Sequence, residues 1–314
     1  MQTIHLNLKI LSDNSLLEST RDLAAKEREI TLSILHHLRE VERRRLFAVL
    51  GYSSLHEYCR QDLHWSEGSA HRRISSMRLL KELPELEKKL ETGILNLSLL
   101  SQAQSFLRRE PTKTLEEKRE CLTALEGKST REAERVLLKR ASQPEKHLPE
   151  KIRAISETHA QVTFTADQTL IDEIRELQGL LAHTHPGMSI EDVIRHAVND
   201  SLKRLKPKAP KSPPAPESAP ELKKETRRDS AYVPAEIKRA VWHRDRGECS
   251  YIHTKSGRKC ASRYALEYDH FQPRRLGGPT TVQNLRLRCR THNQLAAIQT
   301  YGQNQMARFV PGLE

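Results

Sequence analysis

Four residues in the last third of this chain have the types and spacing of a metal cage. Cys249 and Cys260 are separated by ten residues, and Cys289 and His292 by two. Three thiols and an imidazole suit tetrahedral zinc, and two ligands with two residues between them make the usual knuckle. A structural zinc accounts for them better than three buried thiols and an ordinary histidine, because the four bracket a second pattern. That pattern is Asp269-His270, then Asn284 fourteen residues after His270, then His292-Asn293. Gly277, Gly278 and Pro279 form a turn inside it. An imidazole titrates near pH ~6.5 and can take a proton from water at neutral pH. A base of that kind can activate water for hydrolysis.

The surroundings favour a polyanion. From Ala231 to Glu314 there are 14 Lys and Arg against 6 Asp and Glu, so this short segment carries +8 of the total charge of +12. Cations gain by displacing counterions from phosphates. Arg274, Arg275, Arg288 and Arg290 flank the second pattern and are candidate phosphate contacts. Tyr251, Tyr264, Tyr268 and Phe271 read as packing residues rather than base-stacking platforms. Pro234 to Asp245 reads as a short amphipathic helix with Ile237, Ala240 and Val241 on its apolar side.

Upstream lies a tether. Residues 206–230 hold six of the 15 prolines among Lys, Ser and Ala, a composition that cannot bury a core and favours an extended spacer. Before it, Val162 and Phe164 alternate with Gln161, Thr163 and Thr165, which predicts a strand. Thr165 and Gln168 have the spacing of a capping box opening a helix with Leu170, Ile171, Ile174 and Leu177 on one side. Ser189 and Asp192 start a second helix with Ile190, Val193, Ile194, Ala197 and Val198 inward. From about Asn14 to Lys139 the pattern is helix after helix. Ile34, Leu35, Leu38, Val41, Leu46 and Val49 keep one face apolar, and Ser53 or Ser54 caps a helix after Gly51. Cys59 and Cys121, alone in helical patterns, read as small buried apolar side chains.

The run LEYDHFQPRRLGGPTTVQNLRLRCRTHN (266–293) resembles the HNH endonucleases. The resemblance extends over about Tyr232 to Gly302, taking in VWHRDRGEC and a following Ala-Ala. It implies a two-stranded ribbon and a helix cradling one divalent cation, with DNA as substrate. It further implies His270 as general base, Asp269 as first metal ligand, and Asn284 either fixing the loop that bears His270 or touching the metal. Two alignments supply the remaining ligand. In one, His292 replaces a fourth zinc cysteine and Asn293 binds the catalytic metal. In the other, His292 binds the catalytic metal and zinc loses a ligand. The first is preferred, since structural zinc takes four protein ligands. An acid and an amide then hold the cation through hard oxygens, which suits Mg2+ or Mn2+.

Two further resemblances concern architecture. GYSSLHEYC, LPELEKKLETGILNLS and GKSTREAERVL resemble the helical domain of unknown function that often precedes HNH domains in bacterial proteins. The strand-helix-helix order resembles ribbon-helix-helix units, in which two chains pair their strands. That likeness implies a homodimer through 158–205, either with Gln161, Thr163 and Thr165 facing base edges or as a dimerisation unit that reads no sequence; the segment between its helices, LLAHTHPGM, is longer than such units use.

The expected fold is therefore mainly α and multidomain: a helical domain over 1–145, a strand-helix-helix module over 158–205, the tether, and a ββα-metal domain with structural zinc over 231–314. The expected activity is metal-dependent DNA cleavage. The competing class is a DNA-binding regulator without catalysis. Hydrophobic residues make up 36% and charged residues 30%. No apolar run approaches the ~18 residues that span a bilayer. The first residues lack the basic start and cleavage site of a signal peptide, which places the expected protein in the cytoplasm. An odd cysteine count there argues against a disulfide scaffold.

Overall fold

The computed structural model describes residues 8–148, 150–207 and 232–310. Most of the tether expected over 206–230 lies outside them. Among the described residues the chain is mainly helical, with thirteen α-helices and two two-stranded sheets. None of these helices is long and apolar enough to cross a membrane.

The described residues fall into two compact units. The first holds residues up to Phe47 and Ser54–Pro149; the second holds Ala48–Ser53 and Glu150–Val310. The helices before residue 150 are α1 (Asp13–Arg43), α2 (Leu46–Val49), α3 (Leu55–Gln61), α4 (Glu67–Glu82), α5 (Leu86–Glu91), α6 (Leu97–Leu107), α7 (Leu115–Thr123) and α8 (Thr130–Lys139). In the first unit α4 packs on α1, α3 and α6, and α8 closes over α6. Side chains such as Leu35, Met77, Leu79, Leu99 and Leu122 are almost wholly buried. Six of the eight starts, those of α2 and α5 excepted, are marked by a side chain that satisfies orphan N–H groups. Ser54 accepts from Glu57 N, Ser66 from Ser69 N and Asn96 from Leu99 N, while Thr114 with Glu117 and Ser129 with Glu132 form capping boxes. Cys59 and Cys121 are buried, as their helical surroundings require. Where the last helix ends, buried Glu110 accepts from Ser142 N at 2.9 Å and Oγ at 2.5 Å, and pairs with His147 at 2.8 Å.

The second unit begins, after Ala48–Ser53, with a hairpin: β1 (Lys151–Ala154) pairs antiparallel with β2 (Ala160–Thr163). The expected strand thus has a partner within its own chain. Ser156 Oγ accepts from the N–H groups of Thr158 and His159, so the chain turns tightly and β2 finds its partner a few residues upstream. Next come α9 (Gln168–Leu181) and α10 (Ile190–Leu205). The expected capping box at Thr165 is replaced by Asp167, which accepts from Leu170 N, while Ser189 and Asp192 form theirs. The inward face expected of α10 is only partly inward. Val193 is buried, but Ile190, Ile194 and Val198 stay exposed, and α9 buries nothing completely. Two helices and an exposed hairpin enclose too little volume to cover both apolar stripes.

After residue 231 the order is α11 (Ala235–Arg244), β3 (Leu266–His270), β4 (Leu285–Cys289), α12 (Arg290–Tyr301) and α13 (Gln303–Met306). β3 and β4 form an antiparallel ribbon in which Asp269 faces Arg286 and His270 faces Leu285. Val233, Val241, Leu285 and Leu287 form its small core, flanked by Ile237, Trp242 and Tyr268. Polar staples reinforce it. Arg244 donates to the carbonyls of Val282 and Leu285, and Asp245 accepts from Leu287 N.

Candidate functional site

The cysteines arrive by three routes. Cys249 follows the turn after α11, Cys260 sits beyond a single bridge between Ile252 and Lys259, and Cys289 ends β4. His292 lies in the first turn of α12. All four are buried, and their ligand atoms lie within 4.8 Å of one another. Around a tetrahedral zinc, ligand atoms stand roughly 3.5–3.8 Å apart. Cys249 Sγ lies 3.5 Å from His292 Nδ1, Cys289 Sγ 3.2 Å from the same nitrogen, and Cys260 Sγ 3.9 Å from Cys289 Sγ. The residues fit the ion and form a candidate zinc site. The thiols cannot all ionise by themselves. Hydrogen bonds from Cys260 and Cys289 lower Cys249, while donating to Cys249 raises Cys260 and holds Cys289 up at about 11. A dication relieves that conflict.

The second cluster runs along the ribbon from Glu267, beside the cysteine end, to His270 at the other end. Strand alternation puts Glu267 and Asp269 on one face, opposite Arg288 and Arg286. Asp269 Oδ2 accepts from Arg286 Nε at 2.7 Å, with both side chains mostly buried. Asn293, one turn into α12, donates from Nδ2 to Glu267 Oε2 at 2.5 Å. Asn293 thus meets the ribbon at Glu267, a residue that the motif reading passed over. The Leu-Glu-Tyr-Asp alternation carried the signal, because it places Glu267 beside Asp269.

His270 closes β3 with its ring half-buried, and Thr280 Oγ1 lies 3.2 Å from Nε2. Burial pushes the imidazole below its ordinary value, helped by the charge of Arg274 and opposed by Asp269. The loop after it is held by Asn284. Its Oδ1 accepts from Gln272 N at 2.8 Å, and its Nδ2 donates to the carbonyls of Gln272 at 3.0 Å and Pro279 at 2.8 Å. Between the alternatives of loop support and metal contact, this amide occupies both ends in loop support. Gly278 is required beside it, since a Cβ there would lie 1.8 Å from Gln272 O. Gly277 turns the chain with φ at 81°.

The flanking arginines differ among themselves. Arg275 and Arg290 are exposed, and Arg290 pairs with Glu267 at 3.3 Å. Arg288 stacks over Tyr251 at 4.9 Å, with Nε and Nη1 shut off from solvent and unpaired among the described residues. Tyr251 and Tyr268 do pack, as expected. Tyr264 and Phe271 do not: they are 85% and 67% exposed, because the ribbon core is too small to cover them. Phe271 instead lies under the Arg286 guanidinium at 4.1 Å.

A two-stranded ribbon, a following helix, a Cys3His cluster and a histidine at the strand end make a small ββα unit with a candidate metal site. Residues 257–295 match the family model described as HNH endonuclease, which places an HNH domain in the C-terminal region of the chain. No curated protein and no solved structure matches the chain.

Proposed function

We propose that this protein is a metal-dependent DNA endonuclease in which His270 is the general base. The observation that carries the reading is His270 itself: a strand-end imidazole kept toward its neutral form, adjacent to Asp269, on a loop pinned by Asn284. When Thr280 Oγ1 accepts from Nε2–H, Nδ1 holds the lone pair that takes a proton from water. The water oxygen bonds to phosphorus, the bond from phosphorus to one ester oxygen breaks, and that oxygen leaves to be protonated by solvent. Asp269 and the amide oxygen of Asn293 would hold Mg2+ or Mn2+, for which oxygen donors are suited. Such an ion, when bound, supplies positive charge at the phosphate and leaving oxygen. Glu267 takes the amide nitrogen of Asn293, which leaves the amide oxygen for that role. Asn284 is a positioning residue, and Arg274, Arg275, Arg288 and Arg290 are the phosphate contacts of this reading. Cys249, Cys260, Cys289 and His292 hold zinc.

The division into a helical domain over 1–145, a module over 158–205, a tether over 206–230 and a nuclease domain over 231–314 belongs to the same proposal. So does pairing of two chains through 158–205, which the exposed Ile190, Ile194 and Val198 support. A second reading, a DNA-binding regulator without catalysis, draws on Arg286, whose guanidinium already satisfies Asp269. Supercoiled plasmid decides between them. The nuclease reading predicts nicking by the purified full chain in Mg2+ or Mn2+ and none by His270→Ala. Equal cleavage by both, or DNA binding with no cleavage in any divalent ion, selects against it.

A further inference from the structure

Residues 48–53 belong to the second compact unit, although the chain on either side of them belongs to the first. Three of their backbone carbonyls accept hydrogen bonds, and each donor stands at the zinc cluster. His292 Nε2 lies 2.9 Å from Ala48 O, Tyr251 Oη donates to Val49 O at 2.9 Å, and Thr291 Oγ1 donates to Ser53 O at 2.7 Å. Tyr251 also stacks flat on the His292 ring, with centroids 4.0 Å apart and planes 9° from parallel. Arg258, in the loop leading to Cys260, lies over the buried ring of Tyr52 at 4.4 Å. Gly51 has φ at 94°, and a Cβ there would sit 3.3 Å from Arg258.

The carbonyls of Ala48 and Val49 end the single turn of α2; Ala48 O also accepts from Gly51 N at 3.0 Å, and its second lone pair is the one that faces His292. Because His292 turns Nδ1 to the thiols, Nε2 must carry the proton that Ala48 O accepts. A hydrogen bond on the far nitrogen of a metal-binding imidazole fixes its tautomer and ring orientation and raises its basicity.

We propose that residues 48–53 are the outer wall of the zinc site, with Ala48 O as the orienting partner of His292, so that closure of this segment and zinc retention are one coupled event. This rests on the zinc reading of the Cys3His cluster and not on catalysis. Coupling of this kind is reciprocal: what zinc does for the segment, the segment does for zinc.

The test uses the full chain. Zinc per chain is first counted by mass spectrometry; a chain purified without zinc overturns the zinc reading and this inference together. With one zinc present, its transfer to excess EDTA is timed for the wild type and for the double variant Tyr251→Phe, Thr291→Val. This variant keeps the stacked ring and all four ligands but removes two donors to the segment. The expected result is zinc loss about tenfold faster or more, the scale on which outer partners tune metal affinity. Independently of any variant, amide hydrogen exchange at 48–53 in the wild type is expected to rise when zinc is stripped. One zinc per chain with equal release rates, or unchanged exchange at 48–53 on stripping, overturns the inference and leaves the zinc reading standing.

Discussion

The helical unit buries leucines from seven of its helices, whereas the two side-chain clusters around the ribbon bury four aliphatic residues and three thiols. The first holds itself by area removed from water, at roughly 25 cal/mol per Å2. The second has too little apolar area for that and is held by polar staples beside a candidate ligand cage. Asn284, Arg244 and Asp245 give polar atoms to backbone groups of this small domain, and His292 turns Nε2 to Ala48 O. The difference teaches where chemistry can sit. A dense leucine core needs no imidazole to hold it, while a stapled ribbon keeps the half-buried ring of His270 at its edge by the bonds that keep it folded.

The contrast can be broken from either side. Stripping zinc removes the cage alone, and structural zinc contributes about 10 kcal/mol or more to small domains. Differential scanning calorimetry should show one transition lost or moved sharply down while the transition of the helical unit stays in place; a common shift of both would erase the contrast. Next in size is His270→Ala. A positioned base contributes about 10²–10⁴-fold, so plasmid nicking in Mn2+ should fall by that factor while zinc content and thermal transitions remain unchanged. Glu110 probes the helical unit. Burial works to raise its carboxyl, but the hydrogen bonds from Ser142 and His147 outweigh burial and hold it at about 2. Its folded value lies below the ordinary 4.5, so its contribution is complete above pH 4.5 and is lost as pH falls toward 2. Glu110→Ala should cost about 3 kcal/mol in urea unfolding of that unit near neutral pH, since it breaks a buried pair. Between pH 4.5 and 2 the gap to wild type should close. A gap independent of pH would mean that the carboxylate charge plays no part. The smallest effect expected is that of Asn284→Ala. Loosening the loop displaces His270 by a fraction of an ångström, which lowers cleavage about 10–100-fold and leaves plasmid binding in a gel-shift assay intact.

Much of the candidate site was legible because its chemistry is local in sequence. The Cys289-x-x-His292 knuckle and Asp269-His270 announce themselves by spacing, and the helical unit by apolar periodicity and a serine cap after Gly51, which is Ser54. What escaped were contacts made across sequence distance or decided by a turn. Nothing in Ala48–Ser53 says that three of its carbonyls meet side chains some two hundred residues onward. Lys151–Ala154 carries only one strong strand former, Ile152, so its pairing with Ala160–Thr163 follows from the Ser156 turn rather than from propensity. Glu267 was hidden by its place two residues before the Asp-His pair, although alternation sets it beside Asp269. The Arg286 clamp on Asp269 depends on cross-strand register, which sequence leaves open until both strand ends are known.

The central claim is that two metal-binding poles of one small domain do separate work, one holding the fold and the other cutting DNA. Zinc content and plasmid nicking should be followed together during brief dialysis against a weak chelator and subsequent refilling. The account predicts a state that keeps one zinc per chain yet does not nick, regains nicking on addition of Mg2+ or Mn2+ but not of Zn2+ alone, and stays inactive throughout in His270→Ala. Nicking that follows zinc content with no second ion, or that His270→Ala restores as fully as the wild type, would contradict it.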